Sequence, residues 1–193
     1  MKSLVLTSLL SLCIAFVSSA VNAYELSDVE VSDVLKGGII VKPVSNENGV
    51  PGLVAVFSVS STREKIWNVF VDYENFTKIF SGIKKLKVIS QDNQGAVVEF
   101  WADAVLSDLN YTLNRKYEIP NHKLTWSRVG GDLKVIDGSW EILDSSIPEK
   151  KIIIYSSFVE VGRLVPISLV RWGAMRNAND MCEKLKVWIS NLE

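Results

Sequence analysis

From residue 83 to residue 160 apolar and polar side chains alternate with a period of two, and few folds accept so long a run of that pattern. Candidate strands are 84–91, 95–105, 109–119, 123–129, 133–144 and 150–160. Turn chemistry separates them: Asp92-Asn93-Gln94-Gly95, Ser107-Asp108, Pro120-Asn121-His122, Gly130-Gly131-Asp132 and Pro148-Glu149-Lys150. Loops this short join antiparallel neighbours, because a parallel pair needs a crossover of about a dozen residues or more. The stretch therefore reads as an antiparallel meander. Gly138 interrupts a strand pattern and predicts a bulge or sharp bend, which lets a sheet curl.

The flanks are of two kinds. Upstream, Ile39-Ile40-Val41, the turn Asn46-Glu47-Asn48-Gly49 and the run Leu53 to Val59 read as a hairpin over 39–59. Ser61-Thr62-Arg63-Glu64 matches a capping box, with Ser61 as N-cap and Glu64 reaching back. Ile66, Val69, Phe70 and Tyr73 follow at helical spacing, and a second short helix carries Phe76, Ile79 and Phe80 before Ser81-Gly82. Downstream, Pro166 suits the first turn of a last helix running to about Leu192. Its predicted stripe is Ala174, Ala178, Met181, Leu185, Trp188 and Leu192, flanked by Met175, Cys182 and Ile189. Arg171, Arg176, Asn177, Glu183, Lys184 and Lys186 fall on the other side. So broad an apolar face must be buried, and the concave face of the sheet is the surface on offer. The class is α+β.

The N-terminus has the layout of a cleaved signal peptide. Lys2 is basic, Leu4 to Val17 is mostly apolar, and Val21-Asn22-Ala23 is the small-residue pattern that precedes cleavage. The apolar run is shorter than the roughly 20 residues of a membrane span, which argues against an uncleaved anchor. A lipoprotein would use Cys13, but bulky Leu12 stands where a small residue is expected. The expected organisation is a signal peptide at 1–23, an acidic arm or short helix at 24–35, and one domain at 36–193, exported to the periplasm or secreted. After cleavage no transmembrane segment is expected, which leaves room for transient membrane contact. Cys182 is then the only cysteine, and its place on an apolar helix predicts a buried thiol. The whole chain carries 21 Lys+Arg against 22 Asp+Glu, and removing Lys2 leaves 20 against 22. That balance argues against nucleic acid as a partner.

Several local motifs resemble one superfamily. Val59-Ser60-Ser61-Thr62-Arg63-Glu64-Lys65-Ile66-Trp67 is similar to a strand-to-helix junction of the START-like (SRPBCC) proteins, in particular the coenzyme Q-binding and polyketide cyclase/dehydrase type. Asp72-Tyr73-Glu74-Asn75-Phe76 resembles their second-helix motif, and Phe80-Ser81-Gly82-Ile83 the segment after it, with Ser81 where members usually have proline. Gly138-Ser139-Trp140 resembles their Gly-x-Trp strand, and Leu164-Val165-Pro166 the opening of their last helix. The likeness spans roughly residues 35 to 192. It implies the helix-grip fold, a curved antiparallel sheet with two short helices after the first strands and a long C-terminal helix on the concave face. These motifs are mostly structural and bear on fold before function.

The inventory for catalysis is thin. His122, the only histidine, lies in a predicted turn, and no cysteine or histidine spacing suits zinc. No Gly-x-Ser-x-Gly or P-loop pattern occurs. Asn75-Phe76-Thr77 and Asn110-Tyr111-Thr112 match the glycosylation pattern but fall in predicted regular structure. No catalytic residue, metal or cofactor is therefore assigned. The chain offers inward aromatic surface instead. Leu109, Tyr111, Leu113 and Tyr117 share a face with Arg115; Val98, Phe100 and Ala102 point together, with Glu99 and Asp103 opposite; Leu124 pairs with Trp126, and Trp140 with Ile142. Strand 150–160 leaves two inner sets open, Ile154/Phe158 and Tyr155/Val159.

These residues either fill a core or wall a cavity for a hydrophobic small molecule, with Phe100, Tyr111, Leu113, Arg115, Trp126, Trp140 and Met175 as the candidate binding residues. Arg115 keeps its charge, so it must reach the rim, pair with a carboxylate or meet a ligand head. Arg171 is a weaker candidate of the same kind. Arg163 and Leu164-Val165-Pro166-Ile167 would form a mouth, and Phe76 and Phe80 a lid. The resemblance leads to a binder of a lipid, quinone or polyketide-like molecule. The alternatives are a cyclase or dehydratase using Tyr111, Arg115 and an inward carboxylate, and an envelope protein that binds a partner through its last helix.

Overall fold

A computed structural model describes residues 24–80, 82–103, 108–119, 121–160 and 167–192, with the side chains of the last helix described from Met175 onward. Residues 1–23, expected to be a signal peptide, Ser81, Arg163 and Leu164-Val165-Pro166 lie outside the described residues, as do the side chains of Ile167, Arg171 and Ala174. The elements run α1 (Asp28–Leu35), β1 (Ile40–Ser45), β2 (Pro51–Ser60), α2 (Arg63–Val71), α3 (Phe76–Ile79), β3 (Ile83–Gln91), β4 (Gly95–Ala102), β5 (Leu109–Ile119), β6 (Lys123–Gly131), β7 (Val135–Asp144), β8 (Lys150–Glu160) and α4 (Ile167–Ser190).

The expected meander forms. All eight strands join one curved antiparallel sheet in the order β1-β2-β8-β7-β6-β5-β4-β3. The N-terminal hairpin docks on the far end of the meander, with Ala55 opposite Tyr155 and Phe57 opposite Ile153. The segment carrying α2 and α3 therefore leads from β2 to the opposite edge strand, β3. On the α4 side Leu53, Ala55, Phe57, Val59, Ile66, Phe70, Val98, Leu124, Ile142, Ile153, Leu185 and Ile189 form the main core. Each of the larger of these side chains contributes about 1.5–3 kcal/mol when fully buried.

Helix α4 packs mainly on β1 and β2 and touches α2 and α3. Its buried line is Ala178, Cys182, Leu185 and Ile189, while Leu192 is 37% exposed. The predicted stripe is thus rotated toward Cys182, and Leu192 falls beyond the helix end at Ser190. Burial pushes the Cys182 thiol up to about 12, so it stays protonated as a small apolar side chain. Among the described residues, no helix is long and apolar enough to cross a membrane.

Four local readings change. Gly138 sits in regular register, opposite Ser157 on β8 and Trp126 on β6, so no bulge lies there. Register shifts lie instead between β3 and β4 at Ile83/Lys85 and Val88/Ser90, and between β5 and β6 at Thr112/Leu113 and Lys116/Ile119. Gly130 and Gly131 belong to β6, opposite Thr112 and Tyr111, and not to the turn. Gly131 has φ +101°, a conformation that favours glycine, and a Cβ there would meet the Asn110 carbonyl. Strand β4 ends at Ala102, earlier than the expected 105. The N-cap of α2 is Thr62, whose Oγ1 accepts the Lys65 N–H at 3.2 Å, and not Ser61.

The reciprocal capping box stands at Ser27 and Glu30, in the acidic stretch whose structure the sequence left open. Helix α1 lies on the convex face, where Val34 packs with Val54, Val56, Ile152 and Ile154. Part of the sheet is thus covered on both sides. That explains the unbroken apolar run Ile152-Ile153-Ile154 and why alternation could not choose its inner face.

Candidate ligand-binding site

The site begins with alternation along β4 and β5. Ala96, Val98, Phe100 and Ala102 turn inward from β4, and Tyr111, Leu113 and Arg115 from β5. Cross-strand register sets Phe100 opposite Tyr111, Leu113 opposite Val98, and Arg115 opposite both Ala96 and Trp126. Trp126 faces Gly138, and Trp140 faces Tyr155. The inner set of β8 is therefore Tyr155/Val159, not Ile154/Phe158; Ile154 belongs to the convex cluster.

These aromatic rings form a connected wall. Phe100 and Tyr111 stack with centroids 5.4 Å apart, Trp126 and Tyr155 at 5.7 Å, and Trp140 lies 4.4 Å from Tyr155. Phe76, at the start of α3, and Phe80, just beyond its end, lie 4.1 Å apart and reach Phe100 and Trp140 at 5.6 and 6.3 Å. Between this wall and the described side chains of α4, from Met175 onward, a chamber of about 520 Å³ remains. That volume falls within the range of about 300–1,000 Å³ typical of small-molecule sites.

All seven residues singled out from the sequence, Phe100, Tyr111, Leu113, Arg115, Trp126, Trp140 and Met175, line this chamber, as do Phe76 and Phe80. Leu53, Ile136, Tyr155, Ser157, Val159, Ala178 and Met181 also line it. Met181 belonged to the predicted helix stripe. Tyr155 and Val159 were hidden by the two-sided burial of β8, and Leu53 lies in a strand covered on both faces in the same way. Exposed Gly82, Asp103, Asn177 and Asp180 mark where the chamber meets the surface. Asp103, placed opposite the inner face by alternation, thus stands at the rim, where Lys84 binds it at 2.7 Å. Glu99 does lie opposite, accepting a 3.0 Å hydrogen bond from Asn110.

Arg115 neither reaches the rim nor meets a carboxylate. It is 2% exposed. Its Nη2 donates to the Phe70 carbonyl at 3.1 Å, in the last turn of α2, where carbonyls lack helical partners and the dipole is negative. Its guanidinium carbon lies 5.1 Å from the Tyr73 ring centroid and 5.3 Å from that of Phe76. Nη1 is buried and has no hydrogen-bond partner among the described residues. Burial raises the Tyr111 hydroxyl above its ordinary pKa, followed by repulsion from Tyr155 and opposed by Arg115. Tyr155 is raised by burial as well. Both therefore stay neutral, with hydroxyls that can donate. Among the described residues, no group of three acidic, histidine or cysteine side chains is placed to hold a metal ion.

Comparison with known proteins agrees with this geometry. Residues 59–185 match the family of polyketide cyclases/dehydrases and lipid transport proteins. No curated protein matches significantly. Among solved structures, the human StAR-related lipid transfer protein 5 superposes with a TM-score of 0.65 at 11% identity, covering 79% of this chain and 82% of that one. A START superfamily protein from Mycobacterium smegmatis gives 0.61 at 16% identity, covering 80% and 99%. The Zhui aromatase/cyclase from a Streptomyces species gives 0.62 at 12% identity, covering 78% and 94%. At such identities the likeness to these structures is one of fold.

Proposed function

The chain belongs to the polyketide cyclase/dehydrase and lipid transport family, and from that premise we propose that it is an exported binder of an apolar small molecule. The guest, a lipid, quinone or polyketide-like compound, sits between the sheet and α4. One observation carries this reading: the interior holds a chamber of about 520 Å³ that its own aromatic and aliphatic side chains leave open. Burying ligand carbon there is favourable by about 25 cal/mol per Å². The Trp and Tyr rings present large apolar bodies with polar tips, which suits walls that must also orient a guest. Cleavage after Ala23 and work outside the cytoplasm complete the proposal, and a lone, buried Cys182 is compatible with an oxidising compartment.

A cyclase or dehydratase acting on a polyketide-like substrate would use the same chamber with Tyr111 and Arg115. Proton transfer there calls for a general acid or base within hydrogen-bond reach of the reacting atoms, and the expected partner of Tyr111 is an inward carboxylate. The carboxylates among the described lining residues are Asp103 and Asp180, both exposed at the mouth. Their position favours binding over turnover.

The test is native mass spectrometry of protein expressed with its leader. The expected spectrum shows a polypeptide beginning at Tyr24 with a small molecule that solvent extraction releases. Protein that emerges empty from several hosts, and takes up no apolar dye, overturns the binding role. A chain that keeps residues 1–23 overturns the export step.

A further inference from the structure

Resting on that binding role, we propose that the guest is a single-chain amphiphile with a carboxylate head, bound head-first against Arg115. The observation is an imbalance. Arg115 is 2% exposed and lines the chamber, and Nη1 has no hydrogen-bond partner among the described residues. Its other recorded contacts, the Phe70 carbonyl at 3.1 Å and the faces of Tyr73 and Phe76, soften a positive charge without neutralising it. A buried charge left this way is costly, and an anion that completes its hydrogen bonding removes the cost.

The surroundings narrow the class. A phosphate carries more charge and more acceptor oxygens than one free Nη1 satisfies, and the described lining residues include no second cation. A carboxylate matches that donor in charge and can take a further bond from a neutral hydroxyl such as that of Tyr111. The polarity also sets direction. The cation is buried, whereas the acidic lining residues Asp103 and Asp180 stand at the mouth. At the mouth the nearby cation, Lys84, is already held by Asp103 and Asp108 at 2.7 Å each, so a carboxylate there would find no free positive charge; seated at Arg115, it leaves the alkyl tail along the aromatic wall.

Calorimetric titration of the mature chain with hexadecanoic acid, methyl hexadecanoate and hexadecyl phosphate decides the matter. The acid is expected to bind the wild type at least about tenfold more tightly than the ester, the advantage of one charge-assisted hydrogen bond. In Arg115→Met that ratio is expected to collapse toward one, and Arg115→Lys to restore part of it. The ratio in the wild type needs no variant, so a variant that fails to fold leaves the test intact. Equal binding of acid and ester overturns the head-first arrangement while sparing the binding role. Tighter binding of the phosphate overturns the carboxylate assignment. No binding of any of the three overturns the single-chain amphiphile as guest, while the wider binding role stands or falls with the mass-spectrometric test.

Discussion

Gly138 shows how one absent side chain shapes the chamber wall. It faces Trp126 on one side and β8 on the other, and a Cβ there would collide with the Trp126 ring and the Ser156 carbonyl. A carbonyl in the middle of a sheet moves only with its strand. Gly138→Ala is therefore expected to cost about 1–3 kcal/mol, the usual range for overpacking, read as a lower urea midpoint at unchanged slope. The Trp126 ring is expected to shift as well, changing tryptophan emission in the folded protein. An unchanged midpoint and spectrum would mean that the ring does not rest on the glycine. Arg115 poses the complementary case of a side chain with more donors than partners. Its Nη2 completes the end of α2 while Nη1 is left for something else.

Among the elements, α1 depends most on a single polar cluster. Glu30 accepts from Lys42, from the Tyr24 hydroxyl at 2.6 Å, and from the Ser27 amide and hydroxyl at 2.9 and 2.8 Å. The Lys42 bond first, then those from Tyr24 and Ser27, hold its carboxyl well below the usual carboxylate range. A depressed folded-state value stabilises the docked helix above the unfolded value, near pH 4.3, and the contribution fades as pH falls further. Amide protection of α1 is thus expected to weaken on acidification below about pH 4 in the wild type. In Glu30→Gln it is expected to be low already at neutral pH and to change little with acid. Protection of α1 that is equal in both proteins at every pH would show that Val34 and its apolar neighbours hold the helix without the clasp.

For the whole molecule, the chamber is a trade between stability and use. Space inside a protein forgoes packing contacts that a filled core would make. Ala178 on α4 is buried and borders the void. Ala178→Leu is expected to stabilise the empty protein by about 0.5–2 kcal/mol, as cavity-filling changes commonly do, raising the thermal midpoint. The same variant is expected to take up less hexadecanoic acid. A destabilised variant with undiminished uptake would place the guest somewhere other than between α4 and the sheet.

Much of this was legible in the sequence, and the reasons are physical. Period-two alternation with turn residues specified the meander, because in a sheet with one buried face the side-chain pattern and the backbone pleat share a period. The same alternation placed Phe100, Tyr111, Leu113, Arg115, Trp126 and Trp140 on the inner face, and helical spacing placed Met175 beside them. Alternation failed at β8, where α1 covers the second face and erases the polar half of the signal. It also could not show why β7 has glycine at 138, since a Cβ there would meet the Trp126 ring of the neighbouring strand. Whether apolar walls meet or stand apart is likewise not a local property. It depends on where α4 comes to rest, and α4 packs chiefly on β1 and β2. The sequence alone determined which side chains of β4 to β7 face inward. Only the tertiary structure decided that they leave about 520 Å³ between them and that Arg115 enters that space with an unpartnered Nη1.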